Sequence, residues 1–172
     1  LKIVFSLIEN STTPLVLDAD ALNCVAKQPE ILLRKKAPII ITPHPGEMSR
    51  LTGLATPLVN AERERVALDF AQKYGVVTVL KGAGTVIASP NGKVLVNPTG
   101  NSGMATGGSG DVLAGMTASI LAQGASAFSS AAAAVYLHGL AGDIAAEKYG
   151  KISMLPTDLI NCIPLAYKRC GF

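Results

Sequence analysis

A chain of 172 residues is long enough for one domain with a substantial core, and 49% hydrophobic against 16% charged residues is typical of a compact protein with much buried sheet. The net charge of +3 is too small to indicate a nucleic-acid partner, and no basic residues interleaved with stacking aromatics point to single-strand binding. The three cysteines show no CxxC spacing, which argues against a disulfide framework or a zinc site and favours a reducing cytoplasm.

No apolar run reaches the length of a membrane span, and the first ten residues lack the basic region and the small-residue cleavage site of a signal peptide. We therefore expect a cytoplasmic protein without a membrane partner. Because the chain begins with Leu1 rather than with methionine, we also expect it to be a piece of a longer polypeptide.

Short apolar runs alternate with helical patterns along the first half of the chain. Strands are predicted where apolar runs stand between turn signals, and helices where apolar residues recur every three or four positions. The predicted elements are strands at 15–17 and 39–42, helices at 21–27 and 47–52, and a longer helix at 61–74 that Asn60 caps.

The second half continues the alternation. Its predicted elements are a strand at 76–80, a hairpin of 86–88 and 93–96 around Asn91-Gly92, helices at about 111–123 and 126–149, and a short helix from Pro156. Strands that alternate with helices predict an α/β fold. We expect a single domain over residues 1–172, with a mostly parallel sheet between two helical layers and an antiparallel part near one edge.

The most informative stretch is a glycine-rich loop at 97–111, which ends in Asp111 and runs into an apolar helical pattern. Glycines allow positive φ and the close approach of a ligand. The free N–H groups that begin the next helix form a site for phosphate. Asp111 is suited to take a proton from a hydroxyl near such an anion, which indicates phosphoryl chemistry. The alternative is a flexible surface loop with an aspartate near a helix N-cap.

Polar clusters follow the strand-like runs at 18–23, 42–47 and 81–85, and the fourth is the loop that ends in Asp111. In open parallel sheets, ligands bind outside the carboxyl ends of the strands. These four clusters are therefore expected to meet in one crevice.

His44 stands between two prolines that restrict the turn. Its imidazole is suited to hydrogen-bond a substrate hydroxyl or amide or to shuttle a proton, and the alternative is a structural turn histidine. Glu47 either caps the following helix or acts through water on a metal, and we favour the cap. His138, in the alanine-rich helix, is predicted to be a buried side chain with a satisfied hydrogen bond.

The small residues that follow Lys81 would let a nucleotide lie against the backbone, with Lys81 meeting its phosphates. The alternative is a tight turn with a solvent-facing lysine. Asp18, Asp20 and Asn23 either line the site or bind Mg²⁺ through water. Asp20 is also suited to cap the helix after it, and we favour this capping role slightly over a role in the site.

Other sites are excluded by absent motifs. The sequence contains no GxxxxGK[ST] P-loop, no G-x-G-x-x-G after its first strand, no H-E-x-x-H and no G-x-S-x-G. P-loop enzymes, Rossmann dinucleotide sites, zinc proteases and hydrolase elbows are therefore not indicated.

The segments 17–23, 42–47, 80–85 and 100–113 together resemble those of the ADP-dependent NAD(P)H-hydrate dehydratases in sequence, order and spacing, over about residues 15–164. The Gly-Ser-Gly-Asp element alone is shared more widely, by ribokinase-like sugar and vitamin kinases. The resemblance implies a ribokinase-like three-layer α/β/α sandwich. It also implies a lyase that repairs the hydrated S-epimer of NADH or NADPH, with ADP (ATP in some relatives) as co-substrate and with Mg²⁺ bridging the phosphates.

The resemblance also assigns roles to individual residues, and it implies a homo-oligomer. Asp111 would be the general base and, with His44, would contact the hydrated cofactor. The backbone amides of Gly108, Ser109 and Gly110 would hold the transferred phosphoryl group. The nucleotide contacts would be Lys81, Gly82, Ala83, Gly84, Thr85 and Gly110, and no side chain is assigned to a metal.

The chain departs from the family in one respect, because family members carry further strands and helices before the strand that ends at Asp18. We expect the chain to be truncated or nicked, or a partner polypeptide to supply the rest. Two other functions stay open: a ribokinase-like kinase of a small molecule such as a vitamin or sugar, and a nucleotide-binding or scaffolding fragment without catalytic activity.

Overall fold

The computed structural model describes residues 1–172, in which short strands alternate with helices. The strands are β1 (Leu15–Leu17), β2 (Ile39–Ile41), β3 (Val77–Leu80), β4 (Val86–Ala88) and β5 (Val94–Val96). The helices are α1 (Lys2–Asn10), α2 (Asp20–Val25), α3 (Pro45–Thr52), α4 (Thr56–Ala61), α5 (Arg63–Tyr74), α6 (Ser109–Ala122), α7 (Ala127–Tyr149) and α8 (Pro156–Arg169). Two 3₁₀ turns lie at Pro29–Arg34 and Ser102–Met104.

The five strands form one sheet in the order β1-β2-β3-β4-β5. β2 pairs in parallel with β1 and β3, and β4 pairs antiparallel with β3 and β5. Four of the five strands therefore run in one direction. The prediction of a mostly parallel sheet with a reversed part near one edge is confirmed.

The helices cover both faces of the sheet and enclose two cores. Ile39 and Ile41 of β2 face a core built with α1 to α5, whereas Ile40 between them faces a core built with α6, α7 and α8. This division follows from the pleat, which points successive side chains to opposite faces. The predicted three-layer α/β/α sandwich is confirmed. No helix combines the length and the apolar character that a membrane crossing requires.

The alanine-rich segment forms α7, which begins where the Ser126 hydroxyl accepts a hydrogen bond from the Ser129 amide at 3.2 Å. Small residues let the glycine-rich loop approach this helix closely. A Cβ atom on Gly139 would overlap the Thr99 side chain, and one on Gly142 would overlap Met104. α7 therefore packs against the loop almost backbone to backbone.

Three element predictions need correction. Asn60 lies inside α4 and caps nothing, because Pro57 in the first turn of α4 starts a separate helix before α5. α6 begins at Ser109, so Asp111 lies within its first turn. α8 is 14 residues long rather than short, because its buried residues Leu159, Cys162 and Ala166 recur at helical spacing. In addition, α1 covers residues for which no element was predicted.

Replacing Gly139 with alanine is expected to lower the free energy of unfolding by about 1–3 kcal/mol, because the new methyl group would overpack against Thr99. Gly115 in α6 is a matched control, since a Cβ there meets nothing within 4 Å. Gly115→Ala is expected to stabilise the protein by about 0.5–1 kcal/mol through helix propensity. Urea unfolding measures both changes, and equal losses in the two variants would contradict the close approach of α7.

Candidate active site

An ion pair between Lys81 and Asp18 lies at the carboxyl ends of the parallel strands. Lys81 Nζ is 2.8 Å from Asp18 Oδ1, and the two side chains are only 19% and 12% exposed. The Lys81 amide also donates to the carbonyl oxygen of Pro43, at 2.8 Å. The segments that follow β1, β2 and β3 are thus joined at one edge of the sheet, as expected for strands of a parallel sheet.

The N-terminus of α6 lies against this ion pair. A Cβ atom placed on Gly110 would be 3.4 Å from Lys81 Nζ and 3.7 Å from Asp18 Oδ2. From the other side, Glu47 Oε2 is 4.0 Å from the same ammonium. All four predicted polar clusters therefore reach one site, with Lys81 at its centre.

The first turn of α6 presents unpaired backbone amides. Gly108 precedes the helix with φ +97°, a left-handed conformation that favours glycine. The amides of Gly108, Gly110 and Asp111 donate to no acceptor in the protein, whereas the Ser109 amide donates to the Thr106 carbonyl at 3.3 Å. Free N–H groups at the positive end of a 14-residue helix are suited to bind an anion. Of the predicted anion hole, Gly108 and Gly110 are free and Ser109 is engaged within the loop.

The Asp111 carboxylate lies in the same helical turn as these amides. It is exposed and makes no hydrogen bond or ion pair with the rest of the protein. A carboxylate without a protein partner keeps both oxygens available to a ligand hydroxyl. The structure thus combines amides that can hold an anion with a carboxylate that can accept a proton.

His44 and Glu47 form a capping box at the start of α3. His44 Nδ1 accepts hydrogen bonds from the amides of Gly46 and Glu47, at 3.0 and 3.3 Å, and Glu47 Oε2 accepts one from the His44 amide at 2.8 Å. The predicted cap role of Glu47 is confirmed. Because Nδ1 is an acceptor, the proton of the neutral ring is on Nε2. That atom lies 3.6 Å from Glu47 Oε1 on a half-exposed side chain and can donate to a ligand.

The three polar residues that follow β1, Asp18, Asp20 and Asn23, do not lie together. Only Asp18 joins the site, because Asn23 donates to Asp20 at 3.4 Å and accepts from Arg50 Nε at 3.0 Å, away from Lys81. The expectation that Asp20 caps α2 is wrong, since Ala19 holds the cap position and no side chain caps the helix. Ala19 is the only non-glycine residue with positive φ, at +49°. This turn of the backbone lets Asp18 reach Lys81 while Asp20 begins α2.

No group of three or more His, Cys, Asp or Glu side chains is arranged to hold a metal ion. The Asp18 carboxylate is committed to Lys81, and Asp20 and Asn23 are bonded elsewhere. The protein's own side chains therefore do not fit a dedicated Mg²⁺ site, and an Mg²⁺ ion would have to arrive with a phosphorylated ligand.

A cavity of about 610 Å³ adjoins this site. Its lining includes residues 81–85 and 97–102, together with Leu113, Val135 and His138. This volume lies within the range of about 300–1,000 Å³ for small-molecule sites. All five residues predicted to contact a nucleotide in the 81–85 loop thus border one cavity.

Hydrogen bonds to α7 hold the glycine-rich loop in place. The Asp143 carboxylate accepts from the Gly100 amide and from Asn101 Nδ2, both at 2.9 Å, and Thr99 Oγ1 donates to the Tyr136 carbonyl at 2.9 Å. Sequence reasoning missed these contacts. The sequence did contain one indication of these contacts, because Asp143 is the only acidic residue between Asp111 and Glu147.

His138 ties α7 to the first turn of α6. Its Nε2 lies 2.9 Å from the Ser109 carbonyl oxygen, which only accepts, so the proton of the neutral ring is on Nε2. Burial is the main reason that the pKa of His138 is lowered from 6.5 to about 4; the hydrogen bond to Ser109 opposes this shift and the Lys81 charge adds to it. The prediction of a buried, satisfied histidine is confirmed.

Comparisons with known proteins find similar sequences. The family model described as NAD(P)H-hydrate dehydratase matches residues 1–165. The bifunctional NAD(P)H-hydrate repair enzyme Nnr of Moorella thermoacetica is 45% identical over 167 residues, which are 97% of this chain and 32% of that protein.

Solved structures of similar proteins share this fold. The ADP/ATP-dependent NAD(P)H-hydrate dehydratase of Bacillus subtilis, co-crystallised with ATP/Mg²⁺, superimposes with a TM-score of 0.85 at 36% identity, over 94% of this chain and 57% of that one. A ribokinase-like superfamily protein of Enterococcus faecalis gives 0.82 at 31% identity, over 98% and 57%. The ribokinase-like fold is confirmed, and the chain spans between about a third and three fifths of the length of these relatives.

We expect His138 to make stability depend on pH. The unfolded chain takes up this proton near pH 6.5 and the folded chain only near pH 4, so the contribution is complete above 6.5 and is lost as the pH falls toward 4. Between pH 7 and pH 4.5 the free energy of unfolding should fall by about 2–3 kcal/mol more in the wild type than in His138→Gln, which keeps a neutral donor. Urea unfolding at both pH values measures this, and parallel losses would show that the ring is not held neutral.

Proposed function

The chain belongs to the NAD(P)H-hydrate dehydratase family. From that premise we propose that it supplies the residues that bind the nucleotide and catalyse the reaction of an ADP-dependent dehydratase. Its substrate would be the S-epimer of hydrated NADH or NADPH, and its product the restored reduced cofactor. The observation that carries the proposal is the first turn of α6, which combines free amides with the unpartnered Asp111 carboxylate. Gly110 in this turn lies against Lys81, which borders the cavity.

The chemistry requires a better leaving group on the substrate. The hydroxyl at C6 of the hydrated nicotinamide ring leaves poorly as hydroxide. In the proposed reaction this oxygen attacks the β-phosphorus of ADP, the bond from that phosphorus to the bridging oxygen breaks, and AMP departs. The ring-nitrogen lone pair then expels phosphate, and loss of the neighbouring C5 proton completes the double bond. The products are AMP, phosphate and the reduced cofactor.

Asp111 would act as general base on the C6 hydroxyl, because its carboxylate is exposed and has no protein partner. The free amides of Gly108 and Gly110 would hold the phosphoryl oxygens during transfer, when negative charge spreads over them. The Ser109 amide could join them only if its 3.3 Å bond to Thr106 opens. The helix dipole of α6 adds to the attraction for the migrating group.

The nucleotide would lie against Gly110 and against the 81–85 loop, where the exposed Gly82 and Gly84 border the cavity. The contribution of Lys81 would be indirect, because Asp18 neutralises its charge at 2.8 Å. We propose that Mg²⁺ accompanies ADP on its phosphates, and the Bacillus subtilis relative was co-crystallised with ATP/Mg²⁺.

We also propose that the chain works in the cytoplasm as a homo-oligomer. All three cysteines are free, as in a reducing compartment. Large apolar side chains are exposed on α8, among them Ile160 at 48% and Leu165 at 46%, and such surfaces often mark subunit contacts. The mass of the protein in solution tests the assembly.

One assay tests the function. The protein is incubated with hydrated NADH, ADP and Mg²⁺, and absorbance is followed at the reduced nicotinamide band. Recovery of NADH with equal release of AMP and phosphate supports the dehydratase. Phosphate transfer to a vitamin alcohol without recovery would indicate a ribokinase-like kinase instead, and nucleotide binding without turnover would indicate an inactive binding fragment.

Asp111→Asn is expected to lower the rate of NADH recovery at least about a hundredfold, because the amide cannot take the hydroxyl proton. ADP affinity should stay nearly unchanged, since the side-chain volume is kept. Asp69→Asn is a matched control on the exposed face of α5, where Asp69 pairs only with Arg65 at 3.4 Å. Full activity in Asp111→Asn would remove this residue from the role of base.

His44→Asn is expected to raise KM for the hydrated cofactor about tenfold, the equivalent of one lost hydrogen bond, and to leave KM for ADP unchanged. Asparagine keeps an acceptor suited to cap α3, so the thermal midpoint should stay close to that of the wild type. His44→Ala loses both the cap and the imidazole and should be less stable. Steady-state kinetics and thermal unfolding separate the two roles, and an unchanged cofactor KM in both variants would contradict substrate contact.

A further inference from the structure

Arg63, the first residue of α5, lies beneath the 81–85 loop. Its Nη2 donates to the Leu80 carbonyl at 2.8 Å and makes a longer contact of 3.5 Å with the Gly84 carbonyl. Leu80 ends β3, and Gly84 lies on the far side of the turn. A single nitrogen atom therefore connects the two ends of the loop.

The guanidinium also packs against the middle of the turn. A Cβ atom on Gly82 would lie 2.9 Å from Arg63 Nη1, and the backbone of Gly82 has φ +143°. A side chain at this position would have to displace the guanidinium. From within the loop, Thr85 Oγ1 donates to the Gly82 carbonyl at 3.0 Å. The same short turn is therefore held by hydrogen bonds from Arg63 of α5 and by one from Thr85 within the loop.

Arg63 differs from its neighbour Arg65 in its partners. Arg65 forms ion pairs with Glu62 and Asp69, whereas no acidic side chain lies within 4.0 Å of the Arg63 guanidinium. The only hydrogen bonds of Arg63 run to backbone carbonyls, and its Nε is buried without a partner. Holding a cation partly buried without a counterion is costly, and the cost is offset by the carbonyls it organises.

We propose that Arg63 is a positioning residue for the nucleotide: it holds the 81–85 loop in the shape that borders the cavity, and it acts on ADP through that loop. The inference rests on the proposed nucleotide role of the loop. Arg63 lies 18 positions before the loop, and neither the sequence of the loop nor the contacts around Lys81 indicate that it belongs to the site.

Arg63→Met tests the proposal, because methionine fills similar space without a donor. KM and Kd for ADP should rise about tenfold, since the loop loses hydrogen bonds from a charged donor. We expect kcat and KM for the hydrated cofactor to stay within about twofold, because Asp111 and the α6 amides are untouched. Arg65→Met is the matched control and should leave all three parameters unchanged.

A rescue experiment separates positioning from a general structural role. Arg63→Ala opens space for a free guanidinium ion, so guanidinium chloride well below denaturing concentrations should restore much of the ADP affinity. The same salt should not rescue Arg63→Met, in which the space is filled. Arg63→Lys, which keeps a cationic donor, is expected to fall between wild type and Arg63→Met, and it replaces the other variants should they fail to fold.

The outcomes distinguish this inference from the proposed function. Wild-type ADP affinity in both Arg63→Met and Arg63→Lys would overturn the inference even where NADH recovery is normal. Equal losses in kcat and in both KM values, without rescue, would overturn it as well. ADP binding without NADH recovery in the wild type would refute the dehydratase activity, and the inference would still be decided by the ADP Kd values. A wild-type chain that does not bind ADP would overturn both.

Discussion

The ion pair between Lys81 and Asp18 is the constraint on which the site depends. It connects the ends of β1 and β3 across β2, and the same ammonium lies near Glu47 and against Gly110 at the start of α6. Both side chains are mostly buried, so removing Lys81 would leave the Asp18 carboxylate without a counterion at a cost of about 3–5 kcal/mol. Four segments far apart in the chain thus share one electrostatic centre. Since the Asp18 and Glu47 carboxylates together outweigh the single Lys81 charge, this centre would not itself attract an anion, and anion binding would fall to the backbone amides of α6.

α7 supports the site with small residues that allow close packing and with two polar side chains that form hydrogen bonds. Gly139 and Gly142 let the glycine-rich loop lie on the helix, and Asp143 holds the loop by two hydrogen bonds. One turn earlier, the buried His138 fixes the first turn of α6 through the Ser109 carbonyl. The free amides of α6 and the wall of the cavity therefore both contact one long helix, and the packing of α7 sets their relative position.

Local patterns were enough to predict most of the fold. The apolar runs of β1 and β2 and the Asn91-Gly92 turn each carry their signal within a few residues. Predictions went wrong where two local signals competed, as at Asn60, where Pro57 starts a helix early. In the site, the loops and Asp111 were recognisable from sequence, but their partners were not. Lys81 meets Asp18 across 63 positions and Arg63 reaches Leu80 across 17, and pairings of this kind depend on how the strands are ordered.

The left-handed backbone of Ala19 has a consequence for how this family domain can be improved. A non-glycine residue in that region stores strain of order 1–3 kcal/mol. Such a conformation persists only where the contacts of the surrounding structure hold it in place. Here the two carboxylates on either side must diverge, one into the crevice and one into a helix. Selection for thermostability alone should therefore relax the backbone at Ala19 early, and the resulting protein would gain stability but lose the placement of Asp18 beside Lys81.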